Sequence, residues 1–220
     1  MIGLLTLLCS VQADDALLRD HVLSVLTSNE YGSRRRYTVR WADSPSMAII
    51  GGSDAHRQLT IALAAELSEI IAPLAISIVA EPDQADIRLY FDDRAALAEI
   101  ARAEGFEFVP GNAGLFWGWW DDRGRLSRMV ILIQDRWGAD DPFMQHLLLE
   151  EMTQSLGLMN DSPRFPESVV YETPSTSGST TALGDLDTRT IALLYSLRPG
   201  ARKWRVKRAI RRDWETIQDD

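Results

Sequence analysis

One cysteine in 220 residues, and that one at position 9 inside an apolar run, leaves the rest of this chain without a disulfide, a thiolate nucleophile or a cysteine metal ligand. Histidine is nearly as scarce. His21, His56 and His146 fall in three separate segments, so no two form a histidine pair on one helical turn. The order of Ser, His and Asp suggests no hydrolase triad, and the chain has neither a G-x-S-x-G elbow nor a phosphate-binding glycine loop. The apolar run from Ile2 to Val11 is too short to span a bilayer. A formal net charge of -9 excludes a general nucleic-acid binder, whose partner most of this surface would repel.

The residues that are present describe one ordinary core. Hydrophobic residues make up 45% and charged residues 25% of the chain, enough for a single globular domain and short for two. Val11-Gln12-Ala13 after the apolar run has the small-residue spacing of a signal-peptidase site, so residues 1–13 read as a leader and the mature protein as periplasmic or secreted. Residues 14–36 follow as an N-terminal helical segment, 37–200 as the main domain and 201–220 as a basic tail. Eight Lys and Arg with no acidic residue lie between Arg198 and Arg212, so residues 198–220 carry a net +4 and the remainder -13. That stretch reads as a solvated cationic helix, with contact to an anionic membrane surface as the functional alternative.

Periodicity supplies the elements. Tyr37 to Trp41, Met47 to Ile50, Leu74 to Ala80 and Asp86 to Phe91 read as strands. His56 to Ala72, capped from Ser53-Asp54 and stopped by Pro73, and Ala95 to Glu104 before Gly105 read as helices. Phe116 to Trp120, the Asp121-Asp122-Arg123-Gly124 turn and Leu126 to Gln134 form a hairpin. Pro142 opens a long helix through Leu158, a Ser/Thr/Pro/Gly-rich loop covers Asp161 to Gly184, and Leu186 to Leu197 is the last apolar helix.

The most informative segment is Glu150-Glu151-Met152-Thr153-Gln154-Ser155-Leu156-Gly157-Leu158-Met159-Asn160-Asp161. It resembles the H-E-x-x-H-x-x-G-x-x-H segment of metzincin zinc peptidases, in which two histidines one helical turn apart meet one metal and a third closes the site. Glu150, Gln154 and Asn160 stand in the three histidine positions, Glu151 in that of the general base, Gly157 at the turn and Asp161 where an acidic residue often follows. The resemblance continues through Leu183 to Asp187 with Leu194-Tyr195, similar to the following helix of matrixins, and through Ala85 to Leu89, similar to their third strand. From Tyr37 to Gly200 the pattern is similar to domain-of-unknown-function family 2927, whose members show an E-E-x-x-Q-x-x-G-L-x-N-D core. The implied fold is α+β and zincin-like (metzincin-like), with a mixed, mostly parallel sheet and a long active-site-type helix.

Ligand chemistry then limits the activity. One carboxylate and two amides form a poor zinc site, so no cofactor is expected. The alternatives are a weakly held zinc or calcium on Glu150, Gln154 and Asn160, and a metal-free cleft in which Glu150 and Gln154 tie helix to loop. Glu151 with Asp161 is the better acid and base pair, because the adjacent Glu150 points about 100° away from Glu151 on a helix. His146 shares the Glu150 face one turn earlier and reads as half-exposed; His56 reads as a surface residue. Trp117, Trp119 and Trp120 are candidate binding residues, Phe116 and Trp120 on one strand face and Trp117 and Trp119 on the other. The function implied is an envelope pseudopeptidase that binds a peptide, protein or glycan, with a divergent hydrolase using Glu151 as base as the alternative.

Overall fold

The computed structural model describes residues 16–29, 35–173 and 176–213. The expected leader and Cys9 lie outside the described residues. Five strands form one sheet: β1 (Ser46–Gly51), β2 (Ser77–Val79), β3 (Ile87–Asp92), β4 (Gly114–Trp120) and β5 (Leu126–Gln134), in the order β2-β1-β3-β5-β4. Four are parallel neighbours, and β4 runs antiparallel to β5 at the edge. The architecture is α+β with a mixed, mostly parallel sheet.

Among the described residues six α-helices cover this sheet: α1 (residues 16–27), α2 (Asp54–Ile70), α3 (Arg94–Glu104), α4 (Pro142–Gln154), α5 (Asp185–Ser196) and α6 (Lys203–Asp213). The parallel strands require crossovers, which α2 and α3 supply, and central strands covered on both faces lose the alternation of polar residues. β5 shows this, being buried from Met129 through Gln134. On one face Leu97 and Ala101 of α3 pack with Phe106, Leu115 and Val130. On the other, α1, α2, α4, α5 and α6 share a single core, so Val22 and Leu26 near one end and Val206 and Ile210 near the other meet the same cluster.

Local signals account for the boundaries. Ser53 caps α2 by accepting the His56 N–H at 3.2 Å, and the His56 ring returns the bond by accepting from the Ser53 N–H. His56 is therefore not a surface residue: it is buried, stacked on Phe91 with ring centroids 4.9 Å apart, with Nε2 2.9 Å from the Trp137 carbonyl. Gly105 ends α3 in the left-handed conformation, at φ 90°. Tyr37 to Trp41 is not a strand, because it lies across the ends of two connections and pairs one residue at a time, Tyr37 with Arg202 and Arg40 with Arg125. The expected Leu74 to Ala80 strand contracts to an edge strand of three residues. Among the described residues no helix is long and apolar enough to cross a membrane.

Candidate functional site

Helix α4 begins where Asp141 accepts the Phe143 N–H at 2.8 Å and Pro142 supplies a first-turn residue without a donor. It ends one turn earlier than its periodicity predicts. Leu156 and Gly157 donate to Thr153 and Gln154 in a tight turn, and Gly157 takes φ 119°, which stops the helix. The last carbonyls are held from outside: Trp41 Nε1 donates to Ser155 O at 3.1 Å and Tyr195 Oη to Leu156 O at 3.1 Å. Burial raises the pKa of that Tyr195 hydroxyl, and the neighbouring Arg40 opposes the shift only in part.

The helical period divides α4 into two site-facing rows. Leu147 and Glu151 face β4, where a side chain on Gly114 would displace the ends of both, so the glycine leaves room for the Glu151 carboxylate against the strand. His146, Glu150 and Gln154 face the loop that follows. Between α4, Gly111 to Gly114 and the loop lies a cleft of about 260 Å³, into which Glu150, Glu151, Gln154, His146, Asp161 and Glu172 all project. Glu151 is only 6% exposed.

Glu150, Gln154 and Asn160, which the sequence resemblance sets in the place of zinc ligands, do not converge. Gln154 Nε2 donates to Asp161 Oδ1 at 2.6 Å, tying helix to loop, whereas Glu150 instead faces His146. Asn160 turns out of the cleft, its Nδ2 donating to Ser24 Oγ of α1 at 3.1 Å and to the Asp161 carbonyl at 2.6 Å. Zinc would need three of these groups around one point with nitrogen or thiolate donors, and this donor set does not fit it. Among the described residues no group of three or more His, Cys, Asp and Glu side chains is arranged to hold a metal ion.

His146 is not half-exposed. It is 2% exposed, with Gly178 of the loop packed directly against its ring. Its Nδ1 lies 2.8 Å from the Thr180 carbonyl, which can only accept, so Nδ1 carries a proton, and Nε2 is buried 3.6 Å from Glu150 Oε2. Burial holds the His146 pKa below the usual imidazole range, against the opposing pull of the Thr180 carbonyl. The loop is pinned again at the start of α5, where buried Asp187 accepts from Ser168 Oγ at 2.6 Å and from the Val169 N–H at 3.1 Å. Within the loop, β6 (Glu172–Thr173) and β7 (Thr176–Ser177) form a short antiparallel pair. The loop thus packs on α4 through residues that the sequence alone left as surface.

The tryptophans do not line this cleft. Trp117 and Trp119 point to the α3 face of the sheet, Trp117 stacked on Phe106 at 5.3 Å and Trp119 under the Arg128 guanidinium at 3.7 Å. Trp120 points to the other face and donates to Tyr37 Oη at 3.3 Å, beyond the cleft's end of β4. Gly114 and Glu172 are cleft residues that sequence reasoning missed. Neither carries a motif: Gly114 matters for the side chain it lacks, and Glu172 arrives through the path of an irregular loop.

The chain belongs to the family described as "Protein of unknown function (DUF2927)", whose profile matches residues 15–212. No curated protein matches the chain in sequence. Among solved structures it is similar to myroilysin, at 12% identity over 73% of this chain and 97% of that one with a TM-score of 0.46. A second crystal structure of myroilysin gives 12% identity over 80% and 93% with a TM-score of 0.47.

Proposed function

We propose that this protein is a zincin-like domain of the cell envelope whose metal site has been dismantled and whose cleft binds a cationic segment of a peptide or protein without cleaving it. The observation that carries this reading is the charge of the cleft: Glu150, Glu151, Asp161 and Glu172 line it together, and no Lys or Arg among the described residues does. Carboxylates gathered in one partly enclosed space raise the local concentration of cations and strengthen their capture. One wall of the cleft is the start of β4, which is paired only with β5 among the described residues, so an extended peptide has a strand edge to lie along beside the carboxylates. The Gln154 to Asp161 bond ties the helix to the loop directly.

Fluorescence anisotropy with labelled peptides tests this. A Lys- and Arg-containing extended peptide is expected to bind, more weakly as salt rises, while the same peptide with Glu at those positions does not. The Glu150→Gln, Glu172→Gln double variant is expected to weaken binding roughly tenfold, at about 1 kcal/mol or less per charge near the surface. Trp117→Ala is expected to leave it unchanged. Equal affinity for the acidic peptide would sink the reading, and release of cleavage products that Glu151→Gln abolishes would replace it with the hydrolase.

A further inference from the structure

We propose that the outward face of α6 docks this protein on an anionic phospholipid surface, with Trp204 as the residue that enters the headgroup layer. Helix α6 has two faces with separate tasks. Val206, Ala209 and Ile210 are buried in the main core, which fixes the helix in position and settles which side looks outward. At about 100° per residue, Trp204 stands at the centre of the opposite side, with Lys207, Arg208 and Arg211 within roughly 60° of it. Lys203, Arg205, Lys207, Arg208 and Arg211 are all exposed.

Two observations separate this face from an ordinary solvated helix. First, none of those five cations forms an ion pair among the described residues, although acidic residues outnumber basic ones by 32 to 23 in the chain. Second, Trp204 is 56% exposed, the largest exposure of any large hydrophobic side chain described, and its only described ring contact is the Arg205 guanidinium at 4.9 Å.

An exposed indole ringed by basic side chains suits the boundary between lipid headgroups and acyl chains, where the ring is half wet and the cations meet phosphates. Because the apolar side of α6 is already committed to the core, the helix cannot insert; the contact is peripheral, electrostatic and reversible. Charge orients it as well. Residues 198–220 carry a net +4 and the remainder -13, so an anionic surface repels every approach except the one led by this face. A polynucleotide would use the cations but has no need of the exposed indole at their centre.

Co-sedimentation of the full chain with vesicles decides the matter. Binding is expected to vesicles of equal parts phosphatidylcholine and phosphatidylglycerol, to weaken with added salt, and to be absent with phosphatidylcholine alone. Arg208→Glu with Arg211→Glu is expected to lower the partition coefficient by roughly thirtyfold or more, from about 1 kcal/mol per basic residue near the surface. Trp204→Phe is expected to remove the blue shift in tryptophan emission that accompanies binding. All three substitutions are at exposed positions, so an unchanged thermal midpoint separates lost docking from lost fold. Failure to bind phosphatidylglycerol vesicles, or binding that survives the double charge reversal, overturns the proposal. Tighter binding to a DNA duplex than to the vesicles assigns the face to nucleic acid instead.

Discussion

Replacing Gly157 by alanine is expected to destabilise the protein by about 4 kcal/mol and to lower the thermal midpoint by about 10 °C. Two costs combine. The backbone at φ 119° lies where a residue with a side chain is strained, and the new Cβ would overlap the Val39 carbonyl oxygen and come within 3.2 Å of Leu194 Cδ2. Neither neighbour gives way easily, because Val39 is held between the turn at Gly124 and the α5 to α6 connection through bonds from Thr38 and Arg40. Gly105→Ala provides the contrast. Its φ is 90°, but a Cβ there would meet nothing within 4 Å, so only conformational strain of about 1 kcal/mol is expected. Urea unfolding of both variants measures the difference; equal midpoints would mean that the overlap at Val39 is relieved without cost. Gly157 is thus required by the geometry of the turn that ends α4.

Acid is expected to weaken the protein, with about 3 kcal/mol lost between pH 6.5 and 4 through His21 alone. His21 is 1% exposed in α1, edge-on to Phe165 with centroids 5.2 Å apart. Burial lowers its pKa from 6.5 to about 4, and Arg164 nearby adds to the shift. Below pH 6.5 the unfolded chain takes up a proton that the folded state refuses, so stability is fully present above that value and falls until the folded group titrates near 4. The lowered pKa of His146 acts in the same direction at the cleft. Denaturant titrations at a series of pH values, with His21→Leu as the partner, are expected to show a slope that the variant flattens; parallel curves for the two proteins would remove His21 as the cause.

The two histidines also mark where sequence reasoning stopped. His146 was placed on the Glu150 face by counting four residues along a helix, and that relation holds. Its burial was not visible, because the cover comes from Gly178 and Thr180 in a loop whose Ser, Thr and Gly content reads as solvent-exposed. His56 reads as a surface residue for a related reason: its ring closes a local cap with Ser53, but its burial comes from the stack on Phe91, and that depends on a strand which meets the helix only in the folded chain. The tryptophan alternation was read correctly along β4, but the face that carries Trp117 and Trp119 turned out to be covered by the α3 segment and not to border the cleft.

What the amino-acid order determined by itself was local: the alternation and helical periods that set most strands and helices, the glycine that turns the chain after α4, the kinship carried by the E-E-x-x-Q-x-x-G-L-x-N-D segment, and the poverty of nitrogen ligands. These depend on residues within a turn or two of one another, where spacing and chemistry suffice. Tertiary structure decided which side chains meet. It turned Asn160 toward α1 and tied Gln154 to Asp161, brought Glu172 across to the cleft, and buried one side of α6 so that its cations and Trp204 share the other. Such meetings depend on packing between segments far apart in the chain, and no period along the sequence encodes them.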